Sequence, residues 1–127
     1  MMPAFVNAIH RTARKRHTCT ECRGDIEPMD IYERVTGCWD GSLSTYKTCT
    51  HCEVARDLFV DVTKGTRDAE YGDYCFGEVG ADMREAASEL RHEPGTAFGL
   101  LRHVVGMRQR QRAAIARRKA EAPDLFD

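Results

Sequence analysis

Cys19-Thr20-Glu21-Cys22-Arg23-Gly24 and Cys49-Thr50-His51-Cys52 are the two stretches whose reading decides the fold. Each sets two thiols three residues apart, a spacing at which a tight turn can aim both sulfurs at one ion. Two such pairs match a closed tetrahedral site for a single structural Zn2+, with Cys19, Cys22, Cys49 and Cys52 at its corners and metal–sulfur distances of about 2.3 Å. The gap between Cys22 and Cys49 exceeds the roughly 15–20 residues of common zinc ribbons, and a full hairpin with its connectors accounts for the excess. A disulfide framework would need a secretory context. The start, Met1-Met2-Pro3-Ala4-Phe5-Val6, carries no positive charge before its short apolar stretch, and no later stretch is apolar for the length of a membrane span. The expectation is a cytoplasmic protein with no membrane partner.

Outward from the cysteines, the pattern alternates with period two over Ile31–Thr36, and Asp40-Gly41 supplies a hairpin turn. Strands are predicted near 30–36 and 43–48. After the second pair, Val54, Ala55, Leu58, Phe59 and Val62 mark one face of a helix that ends at Lys64-Gly65. Knuckle, hairpin and helix in this order make a treble-clef finger, in which the helix N-terminus favours thiolates at Cys49 and Cys52. The fold class expected is therefore a small zinc-stabilised α+β unit followed by two C-terminal helices. Its divisions are a basic arm over 1–17, the finger over 18–64, a loop over 65–80, a helical segment over 81–121 and a tail over 122–127. Met83, Ala86, Ala87 and Leu90 give the first C-terminal helix its face, and Pro94-Gly95 breaks it. Phe98, Leu101, Val104 and Val105, widened by Leu100 and Met107, are read as the core stripe of the second. Beyond Met107 that helix reads as a solvated extension.

Charge is segregated. Residues 1–20 carry four basic side chains and no acid, residues 94–127 carry seven basic against three acidic, and the middle holds 8 basic against 17 acidic, so the net −1 conceals segments of +4, −9 and +4. Local fields of this kind steer association with a charged partner. Two classes of partner follow. Arg11, Arg14, Lys15 and Arg16 in the arm, with Arg108, Arg110, Arg112, Arg117 and Arg118 in the last helix, could displace counterions from DNA or RNA. Alternatively, Trp39 at the hairpin tip is the residue type enriched in interface hot spots, and the acidic middle suits a basic protein. Oligomeric state is not legible.

Catalysis is not expected. Four thiolates leave no open metal position for water, and no phosphate loop or nucleophile elbow occurs. A ββα-metal nuclease, the remote alternative, would place clustered His and Asn at the hairpin and helix, where this chain has Thr, Lys, Val and Ala. His17 and His51 read as surface or outer-sphere residues. Cys38, near the hairpin tip, lies about 20 Å from the ion by strand geometry and reads as a free thiol; Cys75 reads as a packing residue.

One group of proteins resembles this pattern. Ala13-Arg14-Lys15, Ile26-x-Pro28-x-x-Ile31-Tyr32, Trp39-Asp40-Gly41 and Tyr46-Lys47-Thr48-Cys49-x-x-Cys52 leading to Arg56 are similar to small zinc-finger proteins of tailed phages and prophages, as is Val104-Val105-Gly106-Met107-Arg108. The resemblance covers about half of the chain. It implies a treble-clef finger in a phage accessory protein acting in the bacterial cytoplasm; the protein-binding alternative becomes an inhibitor or modulator of a host protein, anti-defence functions included, or of a phage protein. One departure is Met29-Asp30, where such fingers often carry Gly before an acidic residue.

Overall fold

The computed structural model describes residues 5–39, 41–63 and 76–122. The side chains of Phe5 and Trp39, with Asp40 and Cys75, fall outside them, and with them the expected interface role of Trp39 and packing role of Cys75. The elements run β1 (Phe5–Thr12), β2 (His17–Thr18), β3 (Asp25–Ile26), β4 (Ile31–Trp39), β5 (Ser42–Cys49), α1 (Thr50–Thr63), α2 (Val79–Glu89) and α3 (Pro94–Glu121). The chain is a small α+β unit. Its larger sheet is antiparallel in the order β1-β4-β5, and β2 pairs with β3 in a second, two-stranded sheet across the knuckle.

Part of the expected arm is a strand. β1 pairs along its whole length with β4, from Phe5↔Cys38 to Thr12↔Ile31. Val6 to Thr12 are all exposed, so burial imposes no alternation on them. The strand is held by its backbone ladder and by Ala13, which is buried and exchanges backbone hydrogen bonds with Asp30 and Met29. β4 and β5 form the hairpin, with Arg34↔Lys47 and Tyr32↔Cys49 opposite one another and Gly41 at φ 77° in the turn.

Opposed residues of an antiparallel pair share a face, and the two faces of this sheet have different neighbours. One face carries His10, Glu33 and Thr48 and meets α1. There Arg56 donates two hydrogen bonds to the Glu33 carboxylate at 2.5 and 2.8 Å, and His10 pairs with Glu53 at 2.5 Å. On the same face Tyr46 stacks on Phe76, bringing the chain back before α2. The other face carries Ile9, Arg11, Tyr32, Arg34, Thr45 and Lys47 and looks away from α1.

Two cores share α3. Ala55 and Phe59 of α1, Val79, Met83, Ala86 and Ala87 of α2, and Ala97, Leu100 and Val104 of α3 form the helical core. Ala13, Ile26, Tyr32 and Met107 surround the cysteines in the second. The inward stripe of α3 is thus Ala97, Leu100, Val104, Met107 and Ala114. This corrects the sequence reading: Phe98, Leu101 and Val105 are 64 %, 42 % and 51 % exposed. Ala97 takes an inward position in the core that α1, α2 and α3 share, and with it there Phe98, Leu101 and Val105 fall on the outer side of the helix. α3 is also continuous to Glu121 and stays docked beyond Met107, so it is no solvated extension there.

Candidate metal centre and basic sheet face

The first cysteine pair sits in the knuckle between β2 and β3, where Arg23 takes a φ of 61° and donates its N–H to the Cys19 carbonyl. The second pair bridges the end of β5 and the first turn of α1. All four Sγ atoms lie within 4.8 Å of one another. Cys22 and Cys49 sulfurs are 3.9 Å apart, far beyond the roughly 2.05 Å of a disulfide. A tetrahedron with metal–sulfur bonds of about 2.3 Å has edges of about 3.8 Å. The four side chains therefore fit one tetrahedrally coordinated ion. Cys19, Cys22, Cys49 and Cys52 are 0 %, 4 %, 9 % and 0 % exposed, which suits a closed site.

Backbone N–H groups support the sulfurs. Gly24 donates to Cys22 Sγ at 3.3 Å and Cys49 donates to Cys19 Sγ at 3.4 Å. α3 adds a cation, because Arg110 reaches Cys52 Sγ at 3.5 Å. Burial pulls the Arg110 guanidinium down, but hydrogen bonds to Cys22 and Cys52 outweigh it and hold the group firmly charged. Among the thiols, hydrogen bonding led by Cys19 pulls Cys22 down, while Cys19 and Cys22 push Cys49 and Cys52 up. For Cys19 the push from Cys22 loses to the pull of Cys49 and Cys52, leaving it at about 7. Four sulfurs this close ionise together only around a cation.

No family model, curated protein or solved structure matches this chain. The metal assignment therefore stands on the geometry of the four thiols.

The basic residues expected to meet a partner divide. Arg110 faces the sulfurs, and Arg117 donates to Asp25 at 2.5 and 3.1 Å, so both hold α3 to the knuckle and are not free for a ligand. Arg118 lies near the same carboxylate, and Arg16 pairs with Glu27. Arg108 and Arg112 are exposed on the outer side of α3. Arg11, Arg14 and Lys15 instead converge with Arg34 and Lys47 around a groove of about 580 Å³ on the open sheet face, lined also by Thr12, His17, Tyr32 and Thr45. Among the described residues, no carboxylate lines it. Desolvation first, then Lys47, Lys15 and Arg11, keep His17 below the usual histidine range. Sequence reasoning missed Arg34 and Lys47. The alternation over 31–36, carried across the hairpin, puts both on one face; the signal lost was β1, whose register adds Arg11.

Glu21 was also unforeseen. It is buried in the knuckle and accepts N–H bonds from Gly77 and Val79, so it caps α2 from a distance. Burial pushes its carboxyl up despite those bonds. Cys38 lies opposite Leu43, six register positions from the Tyr32↔Cys49 pair, and takes no part in the cluster. His10, Glu33 and Glu53 form a second group of ligand types, but Arg56 already occupies the Glu33 carboxylate. No helix of the described residues is long and apolar enough to cross a membrane.

Proposed function

We propose that this chain is a zinc-binding accessory protein of the treble-clef kind, of phage or prophage origin, that binds nucleic acid without catalysing a reaction. The order of knuckle, hairpin and helix, with one cysteine pair in the first and one at the start of the last, supports the treble-clef reading. Four buried thiols favour zinc over harder cations, which select oxygen ligands. The observation that carries the nucleic-acid reading is the groove in which Arg11, Arg14, Lys15, Arg34 and Lys47 meet with no acid between them among the described residues. Such a surface neutralises phosphates, and its affinity falls steeply with salt.

Elemental analysis of the purified protein is expected to give one zinc per chain, and fluorescence anisotropy with random-sequence DNA and RNA is expected to show salt-dependent binding. Absence of zinc, or absence of binding to either polymer at physiological salt, removes the corresponding half of the proposal. A protein partner is the second reading. It is favoured by Phe98, Leu101 and Val105, an exposed apolar line on α3 continued by the basic Arg108 and Arg112.

A further inference from the structure

Resting on the nucleic-acid reading, we infer that the open sheet face is a site for single-stranded nucleic acid, held by its phosphate backbone. The register supplies the first reason. Ile9, Arg34 and Lys47 form one row across the three strands, and Arg11, Tyr32 and Cys49 form the next. Cations from all three strands thus stand on one floor, with Arg14 and Lys15 at its end. Three strands spaced about 4.8 Å apart make that floor about 10 Å wide.

Width and shape select the ligand. Proteins that read a duplex insert a protruding helix or ribbon into a major groove about 12 Å wide. Here Arg11, Arg34 and Lys47 share a floor two strand spacings wide with Arg14 and Lys15 at its end, a footprint that the backbone of one flexible strand can follow from cation to cation. Single-strand binders combine a positively charged groove that tracks the backbone with aromatic stacking platforms, and this floor supplies the first of the two.

The second reason is what the floor withholds. Tyr32 is only 3 % exposed and packs against His17 with ring centroids 5.2 Å apart, so its face is not free for a base. Lys47 Nζ lies 3.0 Å from His17 Nδ1, which fixes the ammonium over the groove. Phosphate contacts supply the affinity, and base identity contributes little.

The test uses the zinc-loaded chain of 127 residues and three labelled probes: a 20-mer of thymidylate, a 20-mer of uridylate and a 20-base-pair duplex of mixed sequence. Anisotropy titrations are run between 50 and 200 mM salt. Both single strands are expected to bind at least tenfold more tightly than the duplex. Arg11→Gln/Arg34→Gln/Lys47→Gln is expected to weaken single-strand binding about tenfold or more and to lower the log–log salt slope by about two, since each phosphate contact on a single strand contributes about 0.7. Arg108→Gln/Arg112→Gln is expected to leave it within twofold. Zinc content and melting temperature check that each variant is folded, and Arg11→Gln/Lys15→Gln, at two exposed positions, repeats the test without touching the His17 contact. A duplex bound as tightly as the single strands overturns this inference, as does loss of binding only in the helix variant. Failure of all three probes to bind overturns the nucleic-acid reading beneath it.

Discussion

Met29 holds a φ of 79°, in the region that glycine occupies without steric cost, and it is largely exposed. Asp30 donates its N–H to the Glu27 carbonyl at 3.0 Å, closing a turn with Pro28 and Met29 at its centre. Proline followed by a positive-φ position is the type II pattern. Met29 therefore stands at a position whose backbone favours glycine. Gly24 presents the opposite requirement. The positive φ in the knuckle belongs to Arg23, and Gly24 is needed because a Cβ there would lie 2.8 Å from Arg110 Cβ and 3.1 Å from Cys22 Sγ. Met29→Gly is expected to stabilise the fold by about 0.5–1 kcal/mol through relief of the left-handed conformation. Gly24→Ala is expected to cost about 1–3 kcal/mol by forcing α3 from the knuckle. Denaturant unfolding of both variants measures this, and equal midpoints would remove the argument for contact between Gly24 and Arg110. None of this contact was legible in the chain, because a glycine after a cysteine pair reads as turn chemistry. Only the helix that arrives from far along the sequence gives it a second purpose.

Elements were legible where burial imposes a period and obscure where it does not. The hairpin and α1 announce themselves because β4 and α1 each bury a regular face; the cysteine pairs announce themselves because few other chemistries use that spacing. β1 has no such signature, since its exposed side chains satisfy no core and only the unpaired edge of β4 explains its presence. On α3 the expected stripe shares Leu100, Val104 and Met107 with the buried one, and the small residues Ala97 and Ala114 complete it in place of Phe98, Leu101 and Val105. The sheet is joined to α1 by an ion pair that makes a prediction about acid. Hydrogen bonding to Arg56, which outweighs burial, holds the Glu33 carboxyl below the ordinary glutamate value of 4.5. A carboxyl depressed on folding stabilises the native state at pH above that ordinary value, and the contribution disappears as pH falls through the lowered native one. Glu33→Gln should therefore lower the melting temperature near pH 7 and narrow its gap to the parent below pH 4.5. A gap that stays constant over this range would show that the ionised pair does not join sheet and helix.

At the scale of the molecule, the two cores differ in what sustains them. Among the described residues, the helical core buries nine side chains from three helices. Around the cysteines, the other apolar residues buried among the described ones are Ala13, Ile26, Tyr32 and Met107, little to offset the ordering of the knuckle and the sheet unaided. Zinc binding to four-cysteine sites is linked to folding by about 10–16 kcal/mol, so an ion held by these thiols would supply what the apolar contacts lack. α3 spans both cores, and its far half is held by Met107, by Arg110 on the sulfurs and by Arg117 on Asp25. Loss of the metal should accordingly release Phe5–Cys49 and Met107–Glu121 while Val79–Val104 remain packed. Hydrogen exchange of the chain with and without a chelator reads this directly, with fast exchange expected in the first two segments and retained protection in the third. Cys49→Ser should reproduce the chelated pattern, whereas Cys38→Ser, at a position outside the cluster, should match the parent. If Met107–Glu121 stays protected after the metal is stripped, α3 is held by something other than the knuckle, and Arg110 has no part in keeping it there.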